Sequence, residues 1–282
     1  MNPQDFEFVS AILKRRSGLV LGPDKIYLLT SRFTPLARKF AMAGTEQIVA
    51  ALRKGDRAVE DAVVEAMTTN ETYFFRDPQV FDQFKAAVLP SMIKARSATK
   101  KLRVWSAASS SGQEAYSLAL MFKEEFARNP GWSSSIVGTD LSEEMVERAK
   151  NGTYTHFEIQ RGLPVKYLVS NFEDLKGSWR IKPDIRAMVQ FRKLNLLDNF
   201  ASLGVFDIVF CRNVLIYFDP PTKGLILANI ARVMPDDGVL YLGGAEGVLG
   251  VTDAFKPLPN VRGAYVLTRG QARPATPPRT GV

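Results

Sequence analysis

Residues 67–77 read Met-Thr-Thr-Asn-Glu-Thr-Tyr-Phe-Phe-Arg-Asp, a run that gathers hydroxyl, amide, carboxylate, aromatic and guanidinium groups. Asn70, Thr72 and Arg76 could grip a polar ligand there, and a buried hinge between two domains is the competing reading of the same stretch. A second group is Ser106-Ala107-Ala108-Ser109-Ser110-Ser111-Gly112-Gln113-Glu114, where small residues would let a backbone approach a ligand closely. It is neither G-x-G-x-x-G nor a P-loop with its lysine. Glu114 falls in the first turn of a helix, either complementing the helix dipole or standing beside a cationic ligand. Asp140 closes the next β-rich run, where a carboxylate can accept both hydroxyls of a ribose or cap the helix that opens at Ser142. Asn195 and Asn213 close two further runs at equivalent positions, as a ligand edge or as satisfiers of local backbone.

The small-residue turn, Glu114 and Asp140 together indicate an adenosine ligand. A nicotinamide dinucleotide needs a cradle for its pyrophosphate, and the turn lacks the three-glycine form of one, which favours S-adenosylmethionine.

Positioning these groups calls for strands whose carboxyl ends meet. β-rich runs at 102–107, 136–139, 189–191, 206–211 and 239–242 alternate with amphipathic helices, which predicts a parallel sheet covered on both faces. Asp24, Thr45 and Asp56 are candidate starts for helices in residues 1–68, where apolar residues recur at helical spacing and no strand signal appears. Residues 151–188 are too long for a simple connection, and they predict an inserted subdomain with a hairpin near Trp179-Arg180-Ile181. A last strand is expected at 262–268, and residues 270–282 have the composition of a disordered tail. The expected domains are therefore 1–68, a linker at 69–85, and 86–269 with its insert at 151–188.

The composition narrows the class. One histidine (His156) and one cysteine (Cys211) can form neither an intrachain disulfide nor a His/Cys-built zinc site, so no metal is expected. No apolar run approaches the roughly 18–20 residues of a membrane span, and no signal segment is visible at Met1-Asn2-Pro3-Gln4, so the chain reads as cytoplasmic. The net charge of +8 suits an acidic partner, an anionic surface or nucleic acid.

T-T-N-E-T-Y-F-F-R at 68–76, W-S-A-A-S-S-S-G-Q-E-A-Y-S at 105–117, G-T-D at 138–140, N-L-L at 195–197 and F-C-R-N-V-L-I-Y-F at 210–218 closely resemble the chemotaxis receptor methyltransferase (CheR) family in order and spacing. The resemblance runs over roughly residues 5–268, and its first and last motifs are specific to the family. It implies an α/β fold: a Rossmann-like S-adenosylmethionine-dependent methyltransferase sheet, a small all-helical N-terminal domain and an inserted small β-subdomain. It also implies that Asn70, Thr72, Arg76, Glu114, Asp140, Asn195, Leu196, Asn213 and Val214 hold S-adenosylmethionine, released as S-adenosylhomocysteine, with Arg76 and Tyr217 nearest the transferring methyl. The implied reaction is esterification of glutamates on acidic helices of methyl-accepting chemotaxis receptors, and nothing in the sequence demands more than a monomer. Members that tether to a receptor's C-terminal pentapeptide have a glycine-rich loop in the insert. The stretch Ser170-Asn171-Phe172-Glu173-Asp174-Leu175-Lys176-Gly177 has one glycine, which argues against tethering here.

Lys14, Arg15, Arg16, Lys25, Arg32, Arg38 and Lys39 are set against Asp24 alone between positions 14 and 39. With the resemblance, Lys25, Arg32, Arg38 and Lys39 are read as the docking face for an acidic receptor helix. Two other readings are a nucleic-acid methyltransferase and a non-catalytic, cofactor-binding sensor. Asp219-Pro220-Pro221 suggests the first, but it lies after the strand end and is followed by Thr222 rather than an aromatic, so it reads as a helix start. The presence of Arg76 and Tyr217 argues against the second.

Overall fold

The computed structural model describes residues 1–268, so the expectation for 270–282 lies outside the described residues. Four helices come first: α1 (Pro3–Ser17), α2 (Ile26–Lys39), α3 (Thr45–Arg53) and α4 (Arg57–Ala66). Each is short, so tertiary packing rather than propensity must hold it. Phe6, Val9 and Leu13 of α1 meet Leu29 and Phe33 of α2, Ile48 and Leu52 of α3, and Val59 and Val63 of α4 in one buried cluster. Burying side chains of this size contributes about 1.5–3 kcal/mol each. Asp56 caps α4 by accepting the Val59 N–H at 3.1 Å. Asp24 does not cap α2. A 3₁₀ turn over Pro23–Lys25 intervenes, and the Asp24 carboxylate pairs with Lys25 at 2.9 Å instead.

The basic run is also less free than its sequence implies. Lys14 pairs with Asp219 at 2.7 Å, Arg15 with Glu60 at 3.4 Å, and Arg16 with both Glu60 and Asp61 at 2.6 Å. These acids are remote in sequence and arrive through the fold. Arg32, Arg38 and Lys39 are exposed and form no ion pair among the described residues.

After α5 (Pro78–Gln83) and α6 (Leu89–Ala95) the chain enters the sheet with β1 (Lys101–Ala107), α7 (Gln113–Arg128), β2 (Ser133–Asp140) and α8 (Glu143–Asn151). The insert follows as β3 (Thr153–Thr155), α9 (His156–Gln160), α10 (Val165–Asn171), β4 (Phe172–Asp174), β5 (Ser178–Ile181) and α11 (Pro183–Arg186). The chain closes with β6 (Val189–Lys193), β7 (Ile208–Cys211), α12 (Pro220–Arg232), β8 (Val239–Leu242), β9 (Phe255–Pro257) and β10 (Ala264–Leu267).

The main sheet has seven strands in the order β6-β2-β1-β7-β8-β10-β9, parallel through β8 and antiparallel beyond it. Successive residues serve opposite faces. Val104, Ile208, Phe210 and Tyr241 pack into one core, while Trp105, Val209, Cys211 and Leu242 pack into the other. Burial on both faces is why these strands read as unbroken apolar runs. The strand order reverses at β1, between β2 and β7, and a crevice opens at the carboxyl ends there. β9 is a short edge strand carrying Lys256 and Pro257, and its lack of alternation leaves it without a strand signal in the sequence.

The insert is a second, antiparallel sheet in the order β3-β5-β4. It is fastened to the linker: Tyr154 and Phe172 set their rings 5.0 and 5.7 Å from that of Phe74. At Gly162 (φ +93°) a Cβ would stand 2.1 Å from the carbonyl oxygen of Phe74, so only glycine permits this approach. The Tyr167 hydroxyl donates to Glu124 of α7 at 2.5 Å, and Lys85 and Lys166 flank the same carboxylate. These partners, the tyrosine first, hold the Glu124 carboxyl down at about 2.

Candidate active site

The crevice at the switch point is a cleft of about 1020 Å³, its open mouth included. One wall is the linker from Thr68 to Thr72 with Arg76; the others are the turn after β1, the ends of β2 and β6, and the loop after β7. Asn70, Thr72, Arg76, Glu114, Asp140, Asn195, Leu196, Asn213, Val214 and Tyr217 all line it. Lys25, Arg32, Arg38 and Lys39 do not. Ser17, Leu19, Val64 and Met67 also line the cleft, so the N-terminal helices roof it. That contribution was illegible in the sequence, because those residues read as core or loop.

Backbone strain gathers around this cleft. Ala108 (φ 52°), Ser110 (φ 49°), Asn213 (φ 59°), Phe75 (φ 50°) and Asp77 (φ 61°) are all left-handed without being glycine. Such residues cost of the order of 1–3 kcal/mol each and persist where their surroundings over-determine them. At Ser110 the cause is visible: its N–H donates to Asp140 Oδ2 at 2.7 Å, while the Ser142 N–H donates to Oδ1 at 2.9 Å. Asp140 is only 7% exposed. Burial raises its pKa against the opposing pull of those N–H groups. The cap of α8 is Ser142 itself, which accepts the Met145 N–H at 3.2 Å. Glu65, from α4, accepts the Ser142 hydroxyl at 2.8 Å and the Glu144 N–H at 3.0 Å. Asp140 thus keeps acceptor capacity that the fold does not consume.

Asn195 is committed elsewhere. Its amide donates to the carbonyl of Arg16 at 2.6 Å and its oxygen accepts the Leu197 N–H at 3.0 Å. Its side chain ties the end of α1 to the cleft, which is the backbone-satisfying role.

Glu114 has a cation already, one supplied by the protein. Arg212 Nη1 donates to it at 3.0 Å, with the Arg212 side chain 0% and that of Glu114 12% exposed. Arg212 Nη2 also reaches Asp77 at 2.6 Å and the backbone oxygen of Arg76 at 3.1 Å. Arg212 is a functional residue with a weak sequence signal, an arginine at the end of a buried strand with acids elsewhere in the motifs. Arg76 itself is half-buried and spends Nη1 on the Glu71 carbonyl at 2.8 Å.

A second missed residue is Glu246, after β8. Its carboxylate accepts the N–H groups of Asn213, Val214, Leu215 and Gly243 at 2.8, 2.9, 2.7 and 2.6 Å. One anion therefore shapes the whole loop that leads into the 3₁₀ turn Leu215–Tyr217. No spacing in the sequence links positions 213 and 246. Asp219 accepts the Thr222 N–H at 3.0 Å and starts α12 at Pro220.

Residues 70–263 match the family model described as "CheR methyltransferase, SAM binding domain", and residues 4–68 match "CheR methyltransferase, all-alpha domain". The chain belongs to the CheR methyltransferase family. It is 43% identical over 257 residues to chemotaxis protein methyltransferase 1 of Pseudomonas aeruginosa, covering 89% of this chain and 93% of that protein. It is 40% identical to a chemotaxis protein methyltransferase of Vibrio parahaemolyticus, covering 91% and 94%, and 41% identical to chemotaxis protein methyltransferase Cher2 of Pseudomonas putida, covering 89% and 93%. As a CheR-family protein it is an S-adenosylmethionine-dependent methyltransferase. No helix among its described residues is long and apolar enough to cross a membrane.

The cleft fits that cofactor. Asp140 has acceptor capacity for a ribose diol, and the buried hydroxyl of Ser109 in the lining has no partner among the described residues. Leu141, Leu194, Leu196, Val214 and Phe218 offer apolar flanks to a flat base.

Proposed function

We propose that the protein methylates the side-chain carboxylate of glutamates on methyl-accepting chemotaxis receptors, giving methyl esters. The observation that carries this reading is the meeting of Arg76 and Tyr217, 141 positions apart in sequence, at one cleft whose lining has no histidine or cysteine. A glutamate carboxylate, with a reference pKa near ~4.3, is ionised at neutral pH and needs no general base. S-adenosylmethionine, when bound by Asn70, Thr72, Asp140 and the 195–196 and 213–214 backbone, supplies an electrophilic methyl on a sulfonium. What remains for the protein is alignment and exclusion of water, which can be worth as much as ~7–11 kcal/mol. Arg76, with Nη1 on the Glu71 carbonyl, holds the acceptor carboxylate by its Nε–Nη2 edge, and Tyr217 donates a hydrogen bond beside it.

Arg32, Arg38 and Lys39 support docking of an acidic receptor helix along α2, since they are exposed and form no ion pair among the described residues. Lys25, facing Asp24, contributes less. The enzyme acts as a monomer in the cytoplasm and reaches the membrane only through its receptors. The insert works without a receptor pentapeptide. Supporting this, the turn between β4 and β5 is a closed one: the Leu175 N–H donates to the Ser178 carbonyl at 2.9 Å and Asp174 accepts the Lys176 N–H at 2.8 Å.

The test is transfer of a tritiated methyl from S-adenosylmethionine to receptor-containing membranes. Base-labile label on the receptor is expected. Label that resists base, or label on nucleic acid in place of receptor, would refute the proposal.

A further inference from the structure

A second cleft opens on the other side of Asn213. Its lining includes Asp77, Gly243, Gly244, Arg262 and Tyr265, and Asn213 is common to both clefts. It lies over the end of β8, whereas the first cleft lies over β1, β2 and β6, and the two meet at the loop after β7. The floor is glycine for steric reasons. A Cβ at Gly243 would stand 2.7 Å from Glu246 Oε2 and 2.8 Å from the Asn213 nitrogen, and one at Gly263 would stand 2.9 Å from the Leu242 carbonyl oxygen. Those contacts are internal ones, and the open position on this floor is Gly244, where a Cβ would meet nothing nearer than Arg262.

The charges inside this cleft are unequal in their freedom. Glu246 is held by four backbone N–H groups, and Asp77 gives one oxygen to Arg212, a cation it shares with Glu114. Arg262 is exposed and forms no ion pair among the described residues, and the half-buried Tyr265 hydroxyl has no hydrogen bond among them. The cleft therefore presents a free guanidinium and a free hydroxyl beside glycine backbone, and it shares Asn213 with the first cleft.

We propose that this second cleft takes the stretch of receptor chain adjoining the acceptor glutamate, with Arg262 pairing with an acidic side chain on that stretch. The inference rests on the receptor-glutamate reading above, and it assigns to the cleft the task of threading the acceptor toward Arg76 and Tyr217. Continuity with the cofactor cleft and the sign of the unpaired charge select an acidic polypeptide as the occupant.

The test uses the full-length enzyme and receptor-containing membranes, with two variants. Arg262→Glu reverses the charge. Gly244→Phe fills the cleft at a position where a Cβ meets nothing nearer than the Arg262 guanidinium at 3.9 Å. Each should lower kcat/KM for receptor at low ionic strength by about tenfold or more, while calorimetric affinity for S-adenosylhomocysteine stays within about twofold and shows that the fold is intact. Arg262→Lys should restore part of the loss. Wild-type kcat/KM in both Arg262→Glu and Gly244→Phe would overturn the cleft assignment alone. Failure of the wild-type enzyme to label receptor would overturn the receptor reading and the cleft assignment with it.

Discussion

Arg212 and Glu114 form an ion pair, 3.0 Å long, in which the arginine side chain is wholly buried. The same guanidinium holds Asp77 and the carbonyl of Arg76, so it joins the first turn of α7 to the linker. Removing it would leave two acids without their cation, and breaking a buried pair in this way costs about 3–5 kcal/mol. Arg212→Leu should therefore lower stability by that order in denaturant unfolding. Glu114→Gln, which keeps a hydrogen-bond acceptor, should lose less. A midpoint unchanged in Arg212→Leu would show that the network is not structural.

Asp140 is the second test. Losing charge-assisted hydrogen bonds worth ~1.5–3 kcal/mol each should weaken S-adenosylhomocysteine about tenfold or more in Asp140→Ala. The pH dependence has a definite sign. The ionised carboxylate is the better acceptor, so affinity is full above its pKa and is lost as pH falls through it. Because burial raises that pKa, the loss should begin at a higher pH than an ordinary aspartate would give. Calorimetry from neutral pH downward should show this slope in the wild type and a flatter one in Asp140→Asn.

Arg76 and Tyr217 should matter to turnover more than to folding. Arg76→Ala should cost roughly 10²–10³ in rate, the scale of deleting one preorganised donor. Arg76→Lys should recover part, since a point charge lacks the planar fork. Tyr217→Phe should be milder than Arg76→Ala, because the ring's packing survives. Single-turnover methylation and thermal melts together check this; near-normal turnover in a folded Arg76→Ala would leave the linker as a hinge only.

Reversing charge on α2, with Arg32→Glu and Arg38→Glu together, should impair methylation of intact receptor and spare cofactor affinity. The deficit should shrink as salt rises, since steering by exposed charge is screened. A rate equal to wild type at all ionic strengths would dismiss α2 as the docking face.

The sequence made the sheet legible because strands buried on both faces leave apolar runs that nothing else explains, as at 206–211 and 239–242. Local caps were legible for the same reason: Asp56 and Ser142 act on backbone three residues away. Asp24 failed as a cap because one proline-led 3₁₀ turn moved the helix start past it. The larger gap concerned partners remote in sequence. Glu60 neutralising Arg15 and Arg16, Arg212 answering Glu114, and Glu246 gathering the N–H groups of 213–215 are products of topology that no spacing announces. For the same reason Asn195 could be located at a strand end but not seen to spend its amide on Arg16.

That last bond has company. The Val20 N–H donates to the Tyr217 carbonyl at 3.0 Å, and Lys14 grips Asp219 at 2.7 Å, so the end of α1 and the loop behind it are stitched to both loops that frame the cofactor cleft. On the docking proposed above, a receptor held by the N-terminal helices and a cofactor in the cleft would act on one mechanical unit. Thermodynamic linkage makes such an arrangement reciprocal: whatever factor receptor engagement imposes on cofactor affinity, cofactor occupancy imposes on receptor affinity in return.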